Sequence, residues 1–114
     1  MKFPHMNAEP EELWRWFAHP NSTAEVELKL LTRTEMESLT KAQGGIRGEN
    51  KRIARDYFRD FKGCRDAKGN EIPNTPENRS VMLEDLEFGG WLVGQLMQIG
   101  EWRNEGKGDS GTAS

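Results

Sequence analysis

Two residue types that build many enzyme and metal sites are nearly missing from this 114-residue chain. It has one cysteine, Cys64, and two histidines, His5 and His19. A lone cysteine excludes an internal disulfide and suits a reducing compartment. The three soft ligands stand far apart, with neither Cys-x-x-Cys nor His-x-x-x-His spacing, so no metal site is expected. An excess of one charge is lacking too. There are 16 basic and 19 acidic residues, a net charge of -3, and the signs alternate finely, as in Arg52, Arg55, Asp56, Arg59 and Asp60. Without a basic stripe, nucleic-acid binding has no electrostatic basis. Long apolar runs are also absent. The longest uncharged stretch, Phe88 to Gly100, is thirteen residues, short of the roughly 20 that a membrane span needs. Met1 to Pro10 carries no apolar signal-peptide core. The expectation is a cytoplasmic protein with no membrane and no nucleic acid among its partners.

Apolar residues make up 34% of the chain and mean hydropathy is -0.86. A chain of this length has room for one domain, and here its core must be lean. The domain is placed at 1–105. The Gly/Ser-rich segment 106–114 has no apolar periodicity and is expected to be disordered. A lean core favours added burial against a partner, including a second copy of the chain.

Along the chain, residues 9–17 stay open between strand and helix. Pro10 behind Glu9, Glu11 and Glu12 suits a helix start, whereas the Trp14/Trp16 alternation suits a strand. Glu25 to Leu31 alternates cleanly, with Val26, Leu28 and Leu30 on one side, and predicts a half-buried strand. Thr32-Arg33-Thr34-Glu35 is a capping box, with Leu31 and Met36 placed as a hydrophobic staple. The helix it starts is expected to stop at Gly44-Gly45. A second helix is predicted over about Glu49 to Phe61, with Ile53, Tyr57, Phe58 and Phe61 on one side and an Arg52–Asp56 pair on the other. Gly63 ends it, and Asp66-Ala67-Lys68-Gly69-Asn70 reads as a tight turn or small hairpin. Thr75-Pro76-Glu77-Asn78 caps a third helix, and Asp85 a last one from Leu86 to about Arg103. The fold class expected is mainly α with a small β element, a helical α+β domain with one strand or hairpin.

No motif in this inventory carries chemistry. Gly44-Gly45-Ile46-Arg47-Gly48 lacks the Lys-Ser/Thr of a phosphate loop. Asp66 to Glu71 lacks the alternating oxygen ligands of a calcium loop. Lys62 and Arg65 flank Cys64 and are expected to lower its pKa, but no base is placed beside it. The chain is read as a non-enzyme without cofactor, metal or catalytic residue.

The last helix is unusual. At 100° per residue, Phe88, Trp91, Leu92, Leu96, Ile99 and Trp102 share one face. Gly89, Gly90, Val93, Gly94, Met97 and Gly100 occupy the other, which is equally uncharged. Four helical glycines cost about 3–4 kcal/mol in total relative to alanine. Close approach of another backbone would offset that cost. Gly90, Trp91, Val93, Gly94, Met97 and Trp102 are therefore the candidate partner-binding residues.

The order of segments resembles a known family. The strand and capped helix Glu25-Val26-Glu27-Leu28-Lys29-Leu30-Leu31-Thr32-Arg33-Thr34-Glu35 are followed by Asp60-Phe61-Lys62-Gly63. Then comes Asp66-Ala67-Lys68-Gly69-Asn70-Glu71-Ile72-Pro73-Asn74-Thr75-Pro76-Glu77-Asn78. Over about Glu25 to Trp102 this is similar to the small tail assembly chaperones of long-tailed, non-contractile phages. It departs in having Phe61 where the family favours Trp. The resemblance implies a non-enzymatic chaperone that coats the tape-measure protein, helps recruit tail-tube protein, works in the host cytoplasm and is absent from the mature virion. A head-tail connector subunit and a small inhibitor of a host enzyme are the rival readings.

Overall fold

The computed structural model describes residues 2–98; Trp102 and the segment 106–114 lie outside the described residues. A 3-10 turn, Pro10–Leu13, leads into strand β1, Trp14–Ala18. Strand β2 is Glu25–Lys29. Helix α1, Arg33–Thr40, a second 3-10 turn at Ile46–Glu49 and helix α2, Asn50–Asp56, precede strand β3, Phe58–Lys62. Helices α3, Pro76–Met82, and α4, Leu86–Leu96, close the described part. The sheet is antiparallel with order β1-β2-β3.

This corrects the expected fold class. The β element is not one strand or hairpin but a three-stranded sheet, and the domain is α+β. The open question at residues 9–17 resolves into both alternatives in succession. Pro10 opens a 3-10 turn with a Glu9/Glu12 capping box, and Trp14–Ala18 then pairs in register with β2.

The second helix was expected to reach Phe61, and it stops at Asp56. The cause lies in the register. β2 pairs Val26 with Phe61 and Leu28 with Phe58, with a bulge between Glu27 and Leu28. A bulge adds one residue, so positions three apart return to the same face of the strand. Phe58 and Phe61 therefore both face the core, at a spacing that otherwise signals helix. The expected Arg52–Asp56 pair does not form either. Arg52 lies 3.6 Å from Glu49, and Asp56 pairs with Arg55 at 2.8 Å.

The helix starts follow their caps. Thr32 Oγ1 accepts from the Glu35 amide while the Thr32 amide donates to Glu35. Leu31 is buried and Met36 packs against the same core. Thr75 caps α3 through the Asn78 amide, and Asp85 caps α4 through the Phe88 amide. α1 ends at Thr40 with Lys41 as its C-cap, short of the expected stop at Gly44-Gly45, which lie at positive φ in the loop before the second 3-10 turn. Arg65 bridges Glu71 around the turn that Gly69 closes.

One face of the sheet supplies Val26, Leu28 and Phe58 to the core, joined by Leu39, Ile53, Leu83, Leu92, Val93 and Leu96 from the helices. Arg79 is buried with them, 7% exposed. Its Nε donates to the Ala54 carbonyl at 3.0 Å and its Nη1 to Asn74 Oδ1. Asn74 in turn donates to the Arg59 carbonyl and to Asp60 Oδ1, both at 3.1 Å. The Pro73-Asn74-Thr75-Pro76 segment thus ties α3 to the end of α2 and to the bulged strand. Gly63 closes β3 at φ 68°, where an added Cβ would lie 2.1 Å from the Thr23 carbonyl oxygen.

Candidate functional site

Helix α4 divides its residues more sharply than sequence spacing suggests. Leu92, Val93 and Leu96 are buried, and Phe88 and Trp91 pack partly against the core. The adjoining outer side carries Leu86 at 87% exposure, Gly90, Gly94 and Met97 at 45%. These four fall within an arc of about 80° and span about 16 Å of helix axis. The stripe itself is uncharged and flat in the middle, with the exposed Glu87 at its border.

The candidate partner residues are thereby split. Gly90, Gly94 and Met97 lie together on the outer stripe. Val93 does not: it is 6% exposed and belongs to the core cluster, although helical spacing sets it beside Leu86 and Met97. Trp91 is half-buried, its ring 4.9 Å from that of His19 and nearly perpendicular to it. It fixes α4 against the β1–β2 turn. Trp102 lies outside the described residues. The helix itself ends at Leu96, with Met97 as its C-cap, before the expected end at Arg103.

The glycines have different reasons to be glycine. A Cβ at Gly89 would lie 2.2 Å from the Leu83 carbonyl oxygen and 2.6 Å from Arg47 Nη2. Arg47 donates to that carbonyl at 2.9 Å, crossing the helix where only glycine leaves room. Gly89 is thus used inside the fold. Among the described residues, a Cβ at Gly94 would meet nothing within 4 Å, and one at Gly90 only Arg47 Nη1 at 3.6 Å, an ordinary contact. Nothing among the described residues requires glycine at either position.

The outer face of the sheet forms a second feature, one that sequence spacing did not single out. The Arg59 guanidinium lies 4.2 Å from the Trp14 ring centroid, and Lys62 Nζ lies 4.2 Å from that of Trp16. Arg59 also bonds Glu27, at 2.8 Å from Nε, and Glu11. Those two carboxylates hold the guanidinium firmly protonated, and the Arg59 hydrogen bond lowers the pKa of Glu11. The Trp-x-Trp alternation is the signal in the sequence, but its partners arrive from β2 and β3.

Cys64 lines a cleft of about 190 Å³ with Phe61, Lys62, Gly63, Arg65, Glu71 and Ile72. Its flanking cations were expected to lower the thiol pKa. Burial instead pushes it up, with Sγ 3.5 Å from the Lys62 carbonyl. The thiol is therefore held neutral and weakly nucleophilic. Among the described residues no group of three or more His, Cys, Asp or Glu is placed to hold a metal, and no helix is long and apolar enough to cross a membrane. No family model matches the chain, and no curated protein or solved structure is similar to it.

Proposed function

We propose that the chain is a non-enzymatic tail assembly chaperone of a long-tailed phage. In this reading it acts in the host cytoplasm, binds the tape-measure protein through the outer stripe of α4, and assists addition of tail-tube subunits. The observation that carries it is Gly94. A helical glycine costs about 1 kcal/mol relative to alanine, and nothing among the described residues recovers that cost at Gly94. A partner backbone lying close against the stripe would recover it.

The stripe suits a helical client. Leu86 and Met97 flank Gly90 and Gly94 as two apolar shoulders around a flat centre. An amphipathic helix docks in such a groove through side chains at i, i+3, i+4 and i+7. Long helical clients expose apolar stripes before assembly, and these associate nonspecifically in water. A small binder with a finely mixed charged surface keeps the complex in solution.

Coexpression with the tape-measure protein of the same genome tests the proposal. The client is expected to move from the insoluble to the soluble fraction and to copurify with the chain. A client equally insoluble with and without the chain rejects the chaperone reading.

A further inference from the structure

One border of the α4 stripe is acidic and the other basic. At 100° per residue, Glu87 falls on one side of Leu86 and Gly90, and Gly89 on the other. Over Gly89 lies the Arg47 guanidinium, brought there by the second 3-10 turn, Ile46–Glu49. Glycine gives it room: Nη2 and Nη1 lie 2.6 and 2.8 Å from where a Cβ at Gly89 would stand.

The two ends of the guanidinium are used unequally. Nη2 donates to the Leu83 carbonyl at 2.9 Å, at the C-cap of α3. Nη1 reaches the stripe itself, 3.6 Å from the Cβ position of Gly90. Arg47 is half-buried, yet among the described residues no carboxylate pairs with it. Arg33, Arg52, Arg55 and Arg59 each have such a partner. Glu84, next in the chain to Leu83, is held instead by the Asn50 amide group at 2.7 Å.

This charge restricts what can lie on the stripe. A helix seated close against Gly90 covers Nη1 and strips water from it. Desolvating a cation is costly unless an acceptor of opposite charge replaces the water. Apolar side chains alone do not meet that requirement. A carboxylate does, through a charge-assisted hydrogen bond from Nη1. Glu87 differs, because it is exposed at the far border and keeps its water there. A base opposite it adds little.

We infer that the α4 stripe selects an amphipathic helix with a carboxylate beside its apolar face, seated so that Arg47 Nη1 donates to that carboxylate. The inference rests on the reading of α4 as a helix-docking stripe and adds the charge of the partner to it. Leu86 and Met97 supply apolar contact, and Arg47 sets the preference among helices.

Two synthetic helical peptides of about 20 residues, roughly 30 Å long, test it. They share a leucine stripe at i, i+3, i+4 and i+7. Along one border of that stripe one peptide carries glutamate and the other glutamine. Fluorescence anisotropy with the full chain is expected to show about tenfold tighter binding of the glutamate peptide. The net charge of -3 works against that peptide, so the preference has to be local. Arg47→Gln keeps a donor for the Leu83 carbonyl, and with it the two peptides should bind within about twofold of each other. A merely structural Arg47 would weaken both peptides alike and leave their ratio unchanged. Glu87→Gln should alter the ratio by less than about twofold. Equal binding of the two peptides to the parent chain, a preference that survives in Arg47→Gln, or no binding of either peptide overturns the inference. Equal binding leaves the docking stripe standing. A glutamate preference without retention of the tape-measure protein rejects only that client. If Arg47→Gln fails to fold, the Arg47 side-chain nitrogen resonances of the parent chain decide. They must move with the glutamate peptide and not with the glutamine one, and identical responses overturn the inference.

Discussion

Alanine at two glycines of one helix should change stability in opposite directions, and the difference can be worked from the structure. Removing a helical glycine in favour of alanine gains about 0.8–1 kcal/mol where the new methyl group meets no obstacle. At Gly94 nothing lies within 4 Å of the added Cβ. Gly94→Ala should therefore stabilise the chain by nearly that amount, which raises the melting temperature by about 4–8 °C in a domain of this size. At Gly89 the same methyl group lands 2.2 Å from the Leu83 carbonyl oxygen and 2.6 Å from Arg47 Nη2. The Arg47–Leu83 bond must open, and a hydrogen bond from a charged donor is worth about 1.5–3 kcal/mol. Gly89→Ala should thus lose at least about 0.5–2 kcal/mol net, since the propensity gain only partly offsets the broken bond and the Leu83 main chain must also shift. Thermal and urea unfolding of the full chain would read both. Gly94→Leu adds the functional arm: it should keep the fold and lose retention of the helical client. If Gly94→Ala destabilises the chain, the fold itself requires that glycine and the case for a docking stripe collapses.

Two further outcomes follow from buried and capped polar groups. Arg79→Ala removes donors from the Ala54 carbonyl and Asn74, and should cost about 2–4 kcal/mol, seen as a lower urea midpoint. Arg79→Lys keeps the charge without the planar fork and should recover only part of that loss. For Glu35, burial alone would raise the carboxyl pKa. Hydrogen bonds from Thr32 and the nearby Lys29 outweigh it and leave the pKa lowered. A lowered folded-state pKa contributes stability that is present above the ordinary carboxylate range and is lost as pH falls through the folded value. Glu35→Gln preserves a capping acceptor but cannot titrate, so its urea midpoint should fall less between pH 7 and pH 3 than that of the parent chain.

Where local chemistry determines structure, the sequence was readable. The capping box at Thr32, the Thr75-Pro76 helix start, the Asp85 cap and the Gly69 turn each act within a few residues, and each forms as expected. Strand β2 was readable because one of its faces is wholly buried, which enforces strict alternation. β3 was not, because its bulge returns Phe61 to the face of Phe58 and imitates a helical repeat. That bulge exists only in the pairing with β2, so nothing within β3 announces it. The candidate site was half legible for a similar reason. An uncharged glycine-rich helix stands out in any reading, but the side of the helix that Gly89 and Val93 join depends on where Arg47 and the sheet lie. Trp14 and Trp16 had an alternation to suggest a strand, while the cations over their rings come from residues 45 and 46 positions further on.

The pattern of exposure bears on assembly. A chain with 34% apolar residues has few to spare, and burying one large aliphatic side chain contributes about 1.5–3 kcal/mol. Yet Leu86 and Met97 remain exposed on α4, and Trp16 remains partly exposed at the open edge of β1. The two on α4 lie beside Gly94, a glycine that nothing among the described residues requires. Solubility alone would favour polar residues at all three positions. Leu86, Met97 and Trp16 are three of the six exposed large apolar side chains among the described residues, the others being Phe3, Met6 and Val81.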